Sequence, residues 1–411
     1  MESTNVSVTQ KQSGIEASDR STVPASPKFL LMQGGPFYYL EQRVGLIRKG
    51  APLTIRRAVF AACLTWVPLL VLTLMHGTAF DGVRIPFLRD FSVHSRFLLG
   101  IPLLMLAELV LAPRIAETAE QFLLARIIHD KDVERFNLAI KRGLRLRDSV
   151  TAEVIIALIA YSITWITYRQ LAVHASTWYL TDVGNGSFEL TGAGWWQLLI
   201  AVPLLQFLVF RWLWRIFLWV QFLATVSKLD LRLFPTHPDA AGGLGFIGEG
   251  QRFFGILLFA YSCAVTGVIA NEVVYAGFPL QHFTAILVAW VIVALLLTTV
   301  PLIVFAGKLL VCKREGLHRY GAFATTYTGS FDRKWIEGDN PEHETLLGTG
   351  DIQSLADLGN SYEFIERMKP IPINPKSLLQ IVVLSLIPMA SLLLTVMPLK
   401  DVFKLLMKVL M

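Results

Sequence analysis

Apolar residues in this chain fall into long blocks, not into the alternation of half-buried strands or the narrow stripe of a soluble helix. Seven blocks have the length, about 20 residues, at which a helix crosses a hydrocarbon layer of about 30 Å. They predict spans near residues 58–78, 96–116, 152–172, 196–224, 253–273, 282–307 and 378–398. The fold class this implies is all-α: a polytopic membrane protein of about seven transmembrane helices, with amphipathic helices packed beneath it.

The intervening stretches have patterns of their own. Residues 1–35 are polar and Ser/Thr-rich at the start and lack an apolar signal core, so they read as a disordered cytoplasmic tail. In 36–57, Leu40, Val44 and Ile47 recur at helical spacing beside Arg43, Arg48 and Lys49, which predicts an amphipathic helix lying on the membrane face. A six-helix membrane region follows over 58–307, with polar loops at 113–150 and 227–252. Loop 113–150 is rich in helix formers and is expected to continue the second helix out of the membrane. In the helical segment 308–377, Ile352, Leu355, Leu358 and Tyr362 form one stripe that needs a partner surface. The three prolines of KPIPINPK (369–376) then force an extended lead-in to the last unit, 378–411, a seventh span with an amphipathic end. No internal sequence repeat is visible.

Composition sharpens this reading. Of 411 residues 54% are hydrophobic and 17% charged, and the mean hydropathy is +0.54. Soluble domains carry about 25% charged residues, so a soluble enzyme is excluded. The net charge of +6 does not point to nucleic acid, because its distribution is that of a topology signal. Alternate connections carry 28 Lys+Arg on one side and 6 on the other. That split puts the N-terminus in the cytoplasm and the C-terminus outside, in the periplasm of a bacterial inner membrane. Cys63, Cys263 and Cys312 lack metal-ligand spacing and read as small buried hydrophobes.

Ionisable residues inside the apolar blocks are the first candidates for function, because each costs about 2.5–3.5 kcal/mol to insert. Glu108 lies near the middle of the second block, as either a proton or cation site or a paired carboxylate. Arg211 and Arg215, four apart on one helix face, suit an anion site or permeation pathway; the plainer alternative is snorkelling and packing on Trp212 and Trp214. With Trp195 and Trp196 taken as one aromatic belt and Trp219 as the other, Arg215 falls near the cytoplasmic interface, and Arg211 within reach of Glu108.

The segment FPTHPDAAGGLGFIGEG (234–250) contains Gly243-x-Gly245-x-x-Gly248. No strand precedes it, so a dinucleotide site is disfavoured, and Gly242, Gly243 and Gly245 read as a cytoplasmic turn with close backbone packing. His237 and Asp239 are too few for a metal site and suit capping of that turn. His76, His94, His174 and His282 fall at predicted outer helix ends; their convergence into a metal-attracting mouth is the less favoured reading. No cofactor, metal or catalytic constellation is expected, so the reading leans away from an enzyme.

THPDAAGGLGFIG (236–248), RWLWR (211–215) and DIQSLADLGNS (351–361) together resemble a group of bacterial multi-pass inner-membrane proteins sharing a THPDxAGGLGF-type cytoplasmic motif. The resemblance runs from the second span to the end of the last. It implies the bacterial inner membrane and carries no activity. The expected function is a channel or transporter for a small ion or solute, favouring an anion, with the lipid bilayer as its medium and a homo-oligomer left open. The alternative is a non-transporting scaffold, sensor or assembly factor acting through its cytoplasmic loops.

Overall fold

The computed structural model describes residues 27–47, 54–171, 177–184, 187–338, 346 and 348–396. Its order is helix α1 (Pro36–Arg43), α2 (Thr54–Met75), α3 (Phe91–Leu124), α4 (Val133–Arg147) and α5 (Val150–Leu171), then a hairpin of β1 (Leu180–Gly184) and β2 (Ser187–Leu190), then α6 (Gly192–Val226) and α7 (Gly245–Tyr275). Four more helices follow: α8 (Thr284–Ile303), α9 (Ala306–Phe331), α10 (Asp351–Glu366) and α11 (Pro375–Ala390). The protein is all-α apart from this hairpin among the described residues. Seven of its helices are long and apolar enough to cross a membrane: α2, α3, α5, α6, α7, the stretch Leu280–Ile303 that contains α8, and the stretch Pro375–Thr395 that begins with α11.

Spans α3 and α6 run to 34 and 35 residues. At 1.5 Å per residue each reaches about 50 Å, well beyond a hydrocarbon layer of about 30 Å, so both project from the bundle. The end into which they project, here the basic end, also carries α1, α4, α9 and α10.

α3 and α6 share a local device. Each contains a π turn, at Ser95–Gly100 and Gln197–Ala201, followed at once by Ile101-Pro102-Leu103-Leu104 or Val202-Pro203-Leu204-Leu205. Proline has no N–H to donate and crowds the preceding turn, and the wider π turn absorbs both effects. The matching turns are an internal similarity that the sequence alone did not disclose. Trp212 Nε1 of α6 donates to the Leu104 carbonyl of α3 at 3.0 Å, tying the two spans just below these turns.

On the basic end, α4 buries Phe136, Ala139, Ile140 and Gly143, one face at helical spacing, against α6. Beyond α8, α9 and α10 pack together as an antiparallel hairpin. Leu355, Leu358 and Tyr362 of the expected stripe are partly buried and Ile365 fully so, whereas Ile352 is half exposed and off the stripe. The segment 369–374 is neither helix nor strand and, contrary to the extended lead-in expected, bends at 370–371 where Ile373 N–H donates to the Ile371 carbonyl; Lys369 N–H donates to the Ala240 carbonyl.

Three expectations are corrected. Residues 29–35, assigned to a disordered tail, are built into the core: Phe29, Leu31 and Met32 are at most 1% exposed, and Phe29 stacks 4.4 Å from Phe222 of α6. Their apolar run, FLLM, was too short to register as a block, yet it fills the wedge between α4 and α6. The amphipathic helix expected in 36–57 stops at Arg43; Leu40 and Val44 face outward, but Ile47 is buried, as is Glu41 on the inner side. Cys63 is exposed on the outer face of α2, whereas Cys263 is buried and Cys312 partly so.

Candidate functional site: a buried charge cluster under an N-terminal strap

Glu108 sits at 5% exposure where α2, α3 and α6 meet. Its Oε2 accepts from Arg57 Nη1 at 2.8 Å. Its Oε1 accepts from Arg211 Nη1 at 3.2 Å and from Arg215 Nη1 at 2.7 Å. The three arginines are 2–4% exposed. Two more carboxylates close the cluster: Glu41 of α1 accepts from Arg57 Nη2, and Glu153 of α5 lies 3.4 Å from Arg211 Nε. Aromatic rings lie close to the guanidinium carbons: Phe37 at 5.2 Å from Arg211, Tyr38 at 5.7 Å from Arg57 and Trp212 at 5.4 Å from Arg215.

The sequence-level pairing of Glu108 with Arg211 is present. Arg215, expected to snorkel to the interface, is instead buried on the same carboxylate oxygen. The ruler misled because Trp219 is no interfacial belt residue: it is 1% exposed, and its Nε1 donates to Gln251 Oε1 at 3.1 Å inside the bundle. The depth of Glu108 also changes. It is near the middle of α3 by count, but its partners Arg57 and Glu153 stand in the first turns of α2 and α5. The cluster therefore lies at the basic edge of the apolar layer, and the rest of α3 projects past it.

Sequence reasoning missed Arg57, Glu41 and Glu153. Arg57 and Glu41 resembled the flanking charges common at helix starts. Glu153 was legible, since it falls inside the apolar block at 152–172, where a carboxylate needs a partner.

The N-terminal segment lies directly on the cluster as a strap. The Gly34 carbonyl accepts from Arg211 Nη2 at 3.1 Å and Arg215 Nη2 at 3.4 Å. Gly35 N–H donates to Asp148 Oδ1 at 2.9 Å, and Phe37 N–H to Glu153 Oε2 at 2.6 Å. Arg147 holds the strap from α4 by donating to the Leu30 and Gln33 carbonyls. Gly34 and Gly35 have φ of +122° and +96°, a conformation that side chains rarely adopt, and Pro36 then opens α1. Burial pushes the Glu41 carboxyl up, against the pull of Arg57. The space bounded by Arg57, Glu108, Arg211, Arg215 and Trp212 is too tight to admit a water.

The other candidates separate from this cluster. Asp239 organises its turn: Oδ1 accepts from Ala241 N–H at 2.8 Å and Gly243 N–H at 3.2 Å, Oδ2 from Gly245 N–H at 2.8 Å, and His237 Nδ1 lies 2.8 Å from Oδ1. Gly242 and Gly243 turn the chain at φ +65° and +97°, and Gly245 admits the Asp239 side chain against its backbone. This is the capping role. Asp239→Ala is expected to cost about 2 kcal/mol, because a charged acceptor of three backbone donors is lost, and His237→Ala less than half of that. Thermal unfolding of the two variants checks the order. A larger loss in His237→Ala would show that the histidine, not the carboxylate, holds the turn.

His76, His94 and His282, the described members of the expected mouth, do not converge. His76 Nδ1 is 2.9 Å from the Leu72 carbonyl, His94 sits between Trp66 Nε1 and the Leu88 carbonyl, and His282 stacks on Phe278. His174 lies outside the described residues. No group of three metal-ligating side chains occurs among the described residues.

No protein family, curated protein or solved structure matches this chain.

Proposed function

We propose that this protein is an integral membrane channel or transporter for a small ion or solute, favouring an anion, in a conformation with its basic end closed. One observation carries the reading: three guanidiniums converge at the edge of the apolar layer, and a backbone carbonyl of the chain's own N-terminal segment is seated on two of them. Buried arginines in a membrane bundle mark ion pathways more often than they add stability, because desolvation offsets most of what pairing gains. The lack of room for a water between Arg57, Glu108, Arg211 and Arg215 fits a shut gate. The 28-to-6 bias of Lys+Arg supports a cytoplasmic basic end and N-terminus with a periplasmic C-terminus, the orientation we assign in a bacterial inner membrane.

The alternative is a non-transporting scaffold, sensor or assembly factor. It draws support from α10, whose outward side exposes Ile352 and Phe364.

Purified protein in liposomes, under separate acetate, chloride, potassium and proton gradients, separates the two. Wild type is compared with Gly34→Ala, which strains the strap at φ +122° and pushes aside the Arg147 guanidinium that holds the Leu30 and Gln33 carbonyls. Anion flux is expected, and the variant should exceed wild type at least several-fold. No flux in either protein, with both folded, removes the transport reading in favour of the scaffold.

A further inference from the structure

The two arginines on α6 share two acceptors in the same way. Each places Nη1 on Glu108 Oε1 and Nη2 on the Gly34 carbonyl oxygen. Glu108 is fixed in the bundle, but Gly34 belongs to the strap and is a neutral group where cationic forks converge. A charged oxygen at that position would bind the same two donors more strongly.

Charge counting points the same way. Arg57, Arg211 and Arg215 face Glu41, Glu108 and Glu153, three against three. Glu41 lies on α1, continuous with the strap. When residues 27–43 leave, three guanidiniums face only Glu108 and Glu153. An uncompensated positive charge in a dry site is costly, and one singly charged anion restores the balance. The planar guanidinium fork matches the oxygens of a carboxylate better than it matches a spherical halide.

We propose that Arg211 and Arg215, backed by Glu108, form a binding site for a small monocarboxylate, and that residues 27–43 occupy it as a tethered competitor through the Gly34 carbonyl and Glu41. This names the substrate class of the conduit proposed above, and rests on that reading for its biological sense. Binding and strap docking exclude each other, so by linkage a ligand that fills the site must loosen the strap by the factor that the strap weakens the ligand.

The strap's own amides report on this. Gly35 N–H and Phe37 N–H are held by Asp148 and Glu153 only while the strap is docked. Hydrogen exchange is followed over residues 29–37 in the full-length protein in detergent, at constant ionic strength, with sodium acetate, chloride or phosphate. Acetate is expected to speed exchange there several-fold while the amides of α3 and α6 stay protected. Gly34→Ala should exchange fast without any anion and bind acetate about tenfold more tightly, because a larger fraction of the protein is free of its competitor. Glu41→Gln, which loosens the second anchor without crowding, serves if Gly34→Ala does not fold.

Exchange indifferent to acetate in wild type and both variants would overturn the proposal. Chloride as effective as acetate would overturn the carboxylate class, and phosphate more effective than acetate would overturn the single charge. Liposome flux separates this from the transport reading. Flux without an acetate effect leaves the conduit and removes this site; an acetate effect without flux leaves the site and removes the conduit.

Discussion

Glu108→Ala is expected to be the most damaging single change in the protein. It removes the one carboxylate to which Arg57, Arg211 and Arg215 all donate, leaving Arg57 with Glu41, Arg211 with Glu153 and Arg215 with no carboxylate, all at 2–4% exposure. Breaking a buried ion pair from one side costs about 3–5 kcal/mol, because the partner's desolvation is no longer offset. With Arg215 left unpaired and two further guanidiniums each losing a partner, the upper end applies, which is a large part of a typical stability of about 5–15 kcal/mol. Thermal unfolding in detergent measures it. The diagnostic is the rescue: Glu108→Ala combined with Arg215→Met should be more stable than Glu108→Ala alone, since one stranded charge is replaced by an apolar chain of similar volume. A double variant no better than the single would mean that Glu108 acts through packing, not charge.

Gly248→Ala ranks second. A Cβ there would stand 2.1 Å from the Pro372 carbonyl oxygen and 3.1 Å from its carbon. Those are backbone atoms of the 369–374 segment, so no side chain can swing aside. Overpacking of this kind costs about 1–3 kcal/mol, and the start of α7 must move away from the lead-in to α11. Gly250→Ala is the comparison, since its Cβ meets the Thr118 hydroxyl, an atom that a rotamer change can move. The expected order of unfolding temperatures is wild type, then Gly250→Ala, then Gly248→Ala. Equal values for wild type and Gly248→Ala would show that the segment yields freely.

This second case shows what a sequence can hold. Glycines at 243, 245 and 248 look like a phosphate-binding fingerprint by spacing, and only the missing strand argued for close packing instead. The structure puts a proline carbonyl where a side chain would be. The seven apolar blocks were equally plain, because crossing a membrane requires about 20 apolar residues whatever the neighbours are. The capping role of Asp239 was legible too, since it needs only donors two to six residues away.

The cluster was half legible. An acid and two arginines inside apolar blocks announce themselves by cost, and Glu108 with Arg211 could be paired by counting turns. Arg57 and Glu41 could not, because near a helix end a charge facing water and a charge facing the bundle have the same sequence signature. Which one holds depends on helix rotation, and that is set by packing against α3 and α6.

The sequence by itself determined the number of apolar spans, the bias of basic residues toward one end and the presence of charges that must find partners, all consequences of local composition and periodicity. Only the tertiary structure decided that residues 27–35 are a strap rather than a tail, and that Gly34 sits on Arg211 and Arg215. Those contacts join residues up to 181 positions apart. Long-range seating depends on the shape left between helices, which no window of the sequence contains.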